Sequence, residues 1–487
     1  MLWPIAVGLT LVGLLPTMVA PVLGDDLVVI TDGFAARTSG ESTLDYALDY
    51  ADQMIAGGHV LPVGGFLSAL QVSVVEVLSR TGLSVSLSWG LARGVLIVSS
   101  LVTLAFTLGY WIDRVSQRPG SPRIIQHALA VYLLASAVLI GTLQIHGAWS
   151  QDPVLSYALA SWATPLLGFV FFTVASAILF GGRAIVLGPP LLVLGLVGVL
   201  LYEPFVIAIG ASVASQLVYL LVSRPEKREL LQFVKVTLIA ALAIAFFLLA
   251  QIWRISQPSD YAGTQPGFAD LIVPTWATSF LSSVPFTSIP LALEQTSPVK
   301  TFPALLAVPA IAAVALAVIA MLMLRKGSYQ EVSLRSLSPP VVFLVLLWAG
   351  TSLIFATSSK YQMEIGTQLG RTYLFYATGS LAFSGMTALL ILLLRSRSRL
   401  VLPGFLVGVT LASGIQWTVN AQTLNSIEDM YGWTRSAANS LADLAPLDER
   451  CVIVRRLQQG DIPDFYRSGV LSGLEVTYQE RFKAEYC

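Results

Sequence analysis

Apolar residues run almost without interruption from Leu2 to Leu23 and stop at Gly24-Asp25-Asp26. A polar and amphipathic stretch follows to residue 87. Apolar runs then recur at 88–111, 126–146, 157–181, 184–201, 204–223, 233–253, 302–324, 339–357, 373–394 and 400–419. A helix needs roughly 20 apolar residues to cross the hydrocarbon of a bilayer, and each run is close to that length. Membrane strands would be shorter and would alternate polar with apolar positions, which these runs do not. With 2–24 as the first crossing, the pattern predicts an all-α polytopic membrane protein of about 11 transmembrane helices. The leading run has no basic leader and no small-x-small cleavage site near its end, so it reads as a retained span rather than a signal peptide.

Between and beyond these runs the spacing changes character. Over Ser42–Met54 a helical period places Leu44, Ala47, Leu48 and Ala51 on one side, continued by Ile55, with Asp45, Asp49 and Asp52 opposite. Leu67–Arg80 carries Leu67, Leu70, Val74 and Val77 at similar spacing, and Gly82 follows as a C-cap. Both segments are expected to lie along the membrane surface. After the last run, Ala421–Leu444 reads as a helix and Cys451–Val454 as a short strand. The tail is too small for a second catalytic domain and reads as a lid or docking module.

Composition agrees with a bilayer as solvent. Hydrophobic residues are 55% of the chain, charged ones 11%, and mean hydropathy is +0.75, which excludes a soluble domain. Net charge is zero, so nothing points to nucleic acid. Divided by side, however, the charge is informative. With the N-terminus inside, the inner loops hold 14 basic and 4 acidic residues, leaving 14 basic and 24 acidic on the other side. That asymmetry predicts an N-in, C-out topology in the plasma membrane. It divides the chain into a transmembrane domain, 1–419, with outer loops at 25–87 and 254–301, and an extracytoplasmic tail, 420–487. Cys451 and Cys487 both fall in that tail and could pair there.

Candidate chemistry sits at the ends of spans. Asp25 and Asp26 are adjacent, so their side chains diverge, and one can accept a proton while the other orients a group; read alone, the pair could equally be a helix stop. Asp32, Glu41 and His59 share their loop. Glu203, in Leu201-Tyr202-Glu203-Pro204, lies between two spans at a depth where an ionisable group needs a polar cavity. Lys360, Tyr361, Arg371 and Tyr373 lie on the outer side against the positive-inside trend, and phosphate recognition is a physical reason for cations there. Arg254, after Trp253, is a parallel case. His59, His127 and His146 are too scattered for a zinc site, and no nucleotide-binding loop or serine elbow occurs. An outer site without nucleotides would draw its energy from a substrate carried in the lipid.

An apolar span ending in Asp-Asp, an outer loop with two surface helices, the sequence Gly58-His59-Val60-Leu61-Pro62 before the second of them and a charged turn between middle spans together resemble the GT-C superfamily of polyprenyl-phosphate-sugar-dependent glycosyltransferases. The closest likeness is to bacterial enzymes that modify O-antigen or cell-wall glycans, arabinosyltransferases included. His59 stands where that family more usually has an Arg. The resemblance implies a GT-C-like fold over roughly residues 1–400 and a catalytic Asp at the position of Asp25 or Asp26. It implies a polyprenyl-phosphate sugar as donor, a glycan or lipid-linked acceptor, and inversion at the anomeric carbon. Arg371 and Lys360 would stabilise the leaving phosphate, and Glu203, with His59, Tyr373 and Arg254, would line the substrate cavity. Some family members bind a divalent cation such as Mg, Mn or Ca, which no motif here identifies.

Two other classes fit the same hydropathy. A transporter or flippase would place Asp25, Glu203 and Arg371 along a path, but it favours repeated halves and mid-span ionisable groups. An O-antigen polymerase or ligase would depend on arginines near Arg254 in the large outer loop.

Overall fold

The computed structural model describes residues 2–56, 62–115, 124–146, 152–181, 183–223, 225–256, 265–295, 307–326, 332, 334–366, 368–395, 397–459, 462 and 464–487. The leading apolar run is not one rod. It forms α1 (Leu2–Gly13) and α2 (Leu15–Val19), then an extended turn to Gly24. Pro16 sits at the start of α2, and Pro21 forces Ala20 into an extended conformation that ends it. The stretch 25–87 folds as α3 (Asp25–Thr38), α4 (Thr43–Ala56) and α5 (Pro62–Arg80).

Long helices follow: α6 (Val85–Val115), α7 (Ile124–Thr142), α8 (Ala158–Leu179), α9 (Ala184–Leu201), α10 (Phe205–Val222) and α11 (Lys227–Ile255). The region 254–301 contains α12 (Ala269–Ser282) and α13 (Ile289–Gln295). Then come α14 (Val308–Lys326), α15 (Leu334–Ala356), the short α16 (Ser359–Ile365), α17 (Phe375–Leu394) and α18 (Val401–Tyr431). The tail is α19 (Trp433–Ser440), α20 (Leu447–Gln459) and α21 (Asp464–Phe482).

Eleven of the described helices are long and apolar enough to cross a membrane: α5 to α11, α14, α15, α17 and α18. Ten coincide with expected spans. The eleventh is α5 rather than the 2–24 run, whose α1 has only 12 residues. Most of the apolar side read from the sequence faces out of the protein, where lipid would cover it. Ala69, Val72, Val75 and Glu76 face the protein, while Leu70, Val74 and Val77 are exposed. Glu76 is anchored by Arg37 at 3.3 Å and Arg80 at 2.6 Å.

The packing is that of a protein whose outside is apolar. Helix α7 is buried on nearly every side, surrounded by α6, α14, α17 and α18. Helix α11 sits at the periphery with Leu231, Leu238, Leu242, Leu249 and Ile252 exposed, a continuous apolar face that lipid rather than water would cover. It starts earlier than hydropathy alone indicates, because Glu226 and Glu229 form a capping box ahead of the apolar run. Helix α2 crosses α6 where Gly90 and Gly94 leave room for Met18. A β-carbon at 90 would meet the Met18 carbonyl oxygen at 1.8 Å.

The tail departs from expectation in two respects. The last span and the helix expected over 421–444 are largely one helix, so the 419/420 boundary falls inside α18. Cys451–Val454 is helical, because burial recurs at Arg450, Ile453 and Leu457, a helical rather than a strand period. Cys451 and Cys487 form a disulfide that ties α20 to the chain end. Helix α21 lies close against α3, since a β-carbon at Gly473 would be 2.7 Å from the Thr31 carbonyl carbon.

Candidate active site

Gly24, at φ 58, turns the chain so that α3 begins at once with Asp25 and Asp26 in its first turn. Carboxylates are favoured there by the partial positive charge of the helix start. The two side chains then part company.

Asp26 is buried, at 7% exposure. Its Oδ2 accepts from Trp89 Nε1 at 2.8 Å and its Oδ1 from the backbone amide of Tyr157 at 3.0 Å. Burial pushes this carboxyl up to about 6, against the pull of Arg93 and the two donors. Arg93, fully buried on α6, donates to the carbonyls of Thr17 at 2.7 Å and Leu155 at 2.9 Å, linking the end of the first run to the turn before α8. Asp152 pins that turn from within by accepting from the amides of His146, Val154 and Leu155. The His146 ring is buried beside Asp152, and burial lowers its pKa to about 4, so it is neutral.

The turn delivers Tyr157 in the left-handed region, φ 56, a conformation that stores about 1–3 kcal/mol in a non-glycine residue. Its hydroxyl donates to Asp25 and lies 3.2 Å from the hydroxyl of Tyr466 on α21, which also donates to Asp25. Asp25 is partly exposed. Burial raises its pKa, while Tyr157, Tyr466 and the charge of Lys360 oppose the rise.

Lys360 reaches this region from the first turn of α16. Its Nζ is 4.0 Å from Glu364 and sits 5.6 Å from the Tyr361 ring centroid and 6.0 Å from that of Tyr373. The Tyr373 ring is 5.9 Å from Tyr157 and 5.0 Å from Tyr361. Phe355 and Tyr202 continue this aromatic wall, and Met54, Val63 and Leu67 pack against it from α4 and α5. Two stretches far apart in the chain therefore meet: Asp25 shares one site with the segment that carries Lys360 and Tyr373.

The remaining expected residues fall around it. Arg371 donates from Nη1 to the Glu364 carbonyl at 2.7 Å, one helical turn beyond Lys360 on α16. Glu203 pairs instead with Arg254 and Gln251, whose Oε1 accepts from Arg254 Nε at 3.1 Å, while burial raises its carboxyl. That trio forms a second polar cluster, joined to the first through Tyr202 in the aromatic wall. His59 lies outside the described residues. Among the described residues no three His, Cys, Asp or Glu side chains gather to hold a metal ion.

Several residues that build the site were not singled out from the sequence. Arg93 was visible as a charge inside the 88–111 run, the kind of intramembrane ionisable group that signals a built interior. Asp152 and Tyr157 lie in an unremarkable turn, and Tyr466 carries no sequence signal at all. No protein-family model, curated protein or solved structure matches the chain.

Proposed function

We propose that the protein is an integral membrane glycosyltransferase that moves a sugar from a polyprenyl-phosphate donor to a cell-envelope glycan or lipid-linked acceptor on the outer face of the plasma membrane. The observation that carries this reading is the placement of Asp25. It is the one carboxylate of the pair still partly open, it is held by two tyrosine hydroxyls, and Lys360 faces it beside an aromatic wall.

In this reading Asp25 takes the proton of the acceptor hydroxyl as its oxygen attacks the anomeric carbon. The bond from that carbon to the phosphate oxygen breaks with inversion, and the electron pair leaves with the polyprenyl phosphate. Lys360 stabilises the charge that develops there, and Arg371 supports it from the far end of α16. Asp26 serves as a positioning residue, fixing the Tyr157 backbone and through it Asp25. A raised pKa suits a base working near neutral pH, because the carboxylate is then more basic than an exposed one. The Cys451–Cys487 disulfide supports an extracytoplasmic tail, since disulfides persist in oxidising compartments. The experiment is transfer from a panel of labelled polyprenyl-phosphate sugars in membranes carrying wild type, Asp25→Asn or Lys360→Gln. Loss of transfer in both variants at wild-type protein level is expected, and unchanged transfer in Asp25→Asn would remove the base.

A further inference from the structure

The region 254–301 holds a helix built inside out. The buried residues of α12 are Thr275, Thr278, Ser279 and Ser282, which recur at a helical period, while Val273 is 65% exposed and Leu281 47%. Phe268, just ahead of the helix, is 66% exposed. Water favours the opposite arrangement, with hydroxyls outside and apolar side chains within. Asp270 stands in the first turn of α12, and from Leu271 to Leu293 the chain carries no charge.

Its neighbours place α12 beside a membrane span. Trp276 Nε1 donates to the Ala349 carbonyl at 2.9 Å, and Phe280 stacks on Trp348 with ring centroids 4.2 Å apart. Both partners belong to the Ser336–Ala356 span of α15, with Trp348 about 12 Å in from its end. That span itself exposes Val345, Leu346 and Leu353. With 14 residues, α12 is about 21 Å long, short of the ~30 Å of hydrocarbon it would need to cross. Irregular backbone at membrane depth must find its partners within the protein. The turn after α12 does so: the Val284 carbonyl accepts from Gln144 Nε2 at 3.3 Å, and the Ser288 hydroxyl donates to Gln144 Oε1 at 2.7 Å.

We infer that α12 is a re-entrant helix whose outward face is covered by lipid acyl chains, entering the bilayer beside α15 without crossing it. It is fastened at both ends to the segment that carries Lys360. Gln362 Oε1 accepts from the Phe268 amide at 2.7 Å, and its Nε2 donates to the Phe268 carbonyl at 3.0 Å and the Ala356 carbonyl at 2.9 Å. At the far end the Gly370 amide donates to Ser282 Oγ at 2.9 Å. Through α12 the bilayer therefore sets the depth of Lys360 and Arg371. Neither the lipid contact nor this clasp depends on the transferase reading.

The test uses the full-length protein in lipid nanodiscs, spin-labelled at one introduced cysteine at a time: Val273→Cys, Leu281→Cys, and as references Leu242→Cys on α11 and Gln479→Cys on α21. All four positions are exposed, so folding is preserved, and the native cysteines are paired with each other. Oxygen concentrates in hydrocarbon and a nickel chelate stays in water, so collisions with each report the surroundings of the label. Labels at 273 and 281 should follow 242, with oxygen favoured several-fold over the chelate, and should differ from 479. Labels that follow 479, or that neither reagent reaches because another protein covers them, would overturn the inference. The clasp is read from a label at Met363→Cys on α16, a position 69% exposed. Gln362→Ala should make that label more mobile, and unchanged mobility would remove the coupling to Lys360. Where transfer is detected, Gln362→Ala should raise the donor KM and leave the acceptor KM unchanged. If no polyprenyl-phosphate sugar is transferred while the labels at 273 and 281 report lipid, the transferase reading falls and the re-entrant helix stands.

Discussion

Asp26 accepts a hydrogen bond from the backbone amide of Tyr157 at 3.0 Å, and Tyr157 is one of the few non-glycine residues with a positive φ. The adjacent carboxylates thus act on the same residue from two ends. Asp26 holds the backbone of Tyr157, and the Tyr157 side chain holds Asp25. Replacing the two should therefore have different consequences. Asp26→Asn keeps a carbonyl for the Tyr157 amide but offers Trp89 a donor in place of an acceptor, which destabilises the fold by about 1–3 kcal/mol. Asp25→Asn should leave stability near wild type and lower transfer by about 10²–10⁴-fold, the usual contribution of a general base. Thermal unfolding in detergent alongside transfer rates separates the two.

The carboxyl of Asp26 is pushed up to about 6 from an ordinary value of 3.8, and Asp32 likewise, in both cases chiefly by burial. Between those two values the folded protein binds more protons than the unfolded chain. Stability contributed by these groups is thus greatest below pH 3.8, falls as pH rises towards 6, and is level above it. An unfolding midpoint measured across pH 4–7 should show that decline, and Asp26→Asn should flatten part of it.

Tyr466 and Tyr157 both donate to Asp25 and oppose the effect of its burial. Tyr466→Phe removes one donor, so the Asp25 pKa rises further and the acid limb of the pH–rate profile moves to higher pH. Transfer should then fall most at acid pH and recover as pH increases. A uniform loss at every pH would assign Tyr466 a purely structural role.

Lys360 offers the cation nearest Asp25, and its loss should be felt at the phosphate. Lys360→Gln should lower kcat/KM for the polyprenyl-phosphate donor by roughly 10- to 150-fold, the range of a charged hydrogen bond, and Lys360→Arg should restore part of it. Equal activity in all three would remove Lys360 from the phosphate.

Helix α21 carries Tyr466 to the site, and two features hold it there. The Cys451–Cys487 disulfide closes a loop of sequence separation 36, and Gly473 admits α3 at close range. Cys451→Ser should weaken the tail by about 2–4 kcal/mol and expose it to limited proteolysis. Gly473→Ala must push α21 off the Thr31 backbone and should reduce transfer even with the disulfide intact.

How far the sequence foretold these features follows from range. Ten long helices were legible because an apolar run of span length reports on the solvent and needs no partner to be recognised. The break at Leu14–Gly24 was marked by Pro16 and Pro21, but hydropathy averages over such punctuation. The Cys451–Val454 segment misled because four β-branched or small apolar residues suit a strand until the burial of Arg450 and Leu457 is known. Asp25, Lys360 and Tyr373 were each visible as polar groups at span ends, yet their meeting depends on how α3, α16 and the turn ahead of α17 pack. Glu203 and Arg254 were visible for the same reason and found each other instead. Tyr157 owes its role to a turn built by Asp152, Arg93 and Asp26, an arrangement no local pattern encodes.

The central claim is that Asp25 is a catalytic base acting on a lipid-linked sugar. It is tested most directly by reconstituting wild type, Asp25→Asn and Asp26→Asn in proteoliposomes and measuring transfer from labelled polyprenyl-phosphate sugars to glycan acceptors, with folding checked by thermal unfolding. The account predicts transfer by wild type, a folded and inactive Asp25→Asn, and an Asp26→Asn whose activity loss tracks its lost stability. Transfer by Asp25→Asn at the wild-type rate would contradict it.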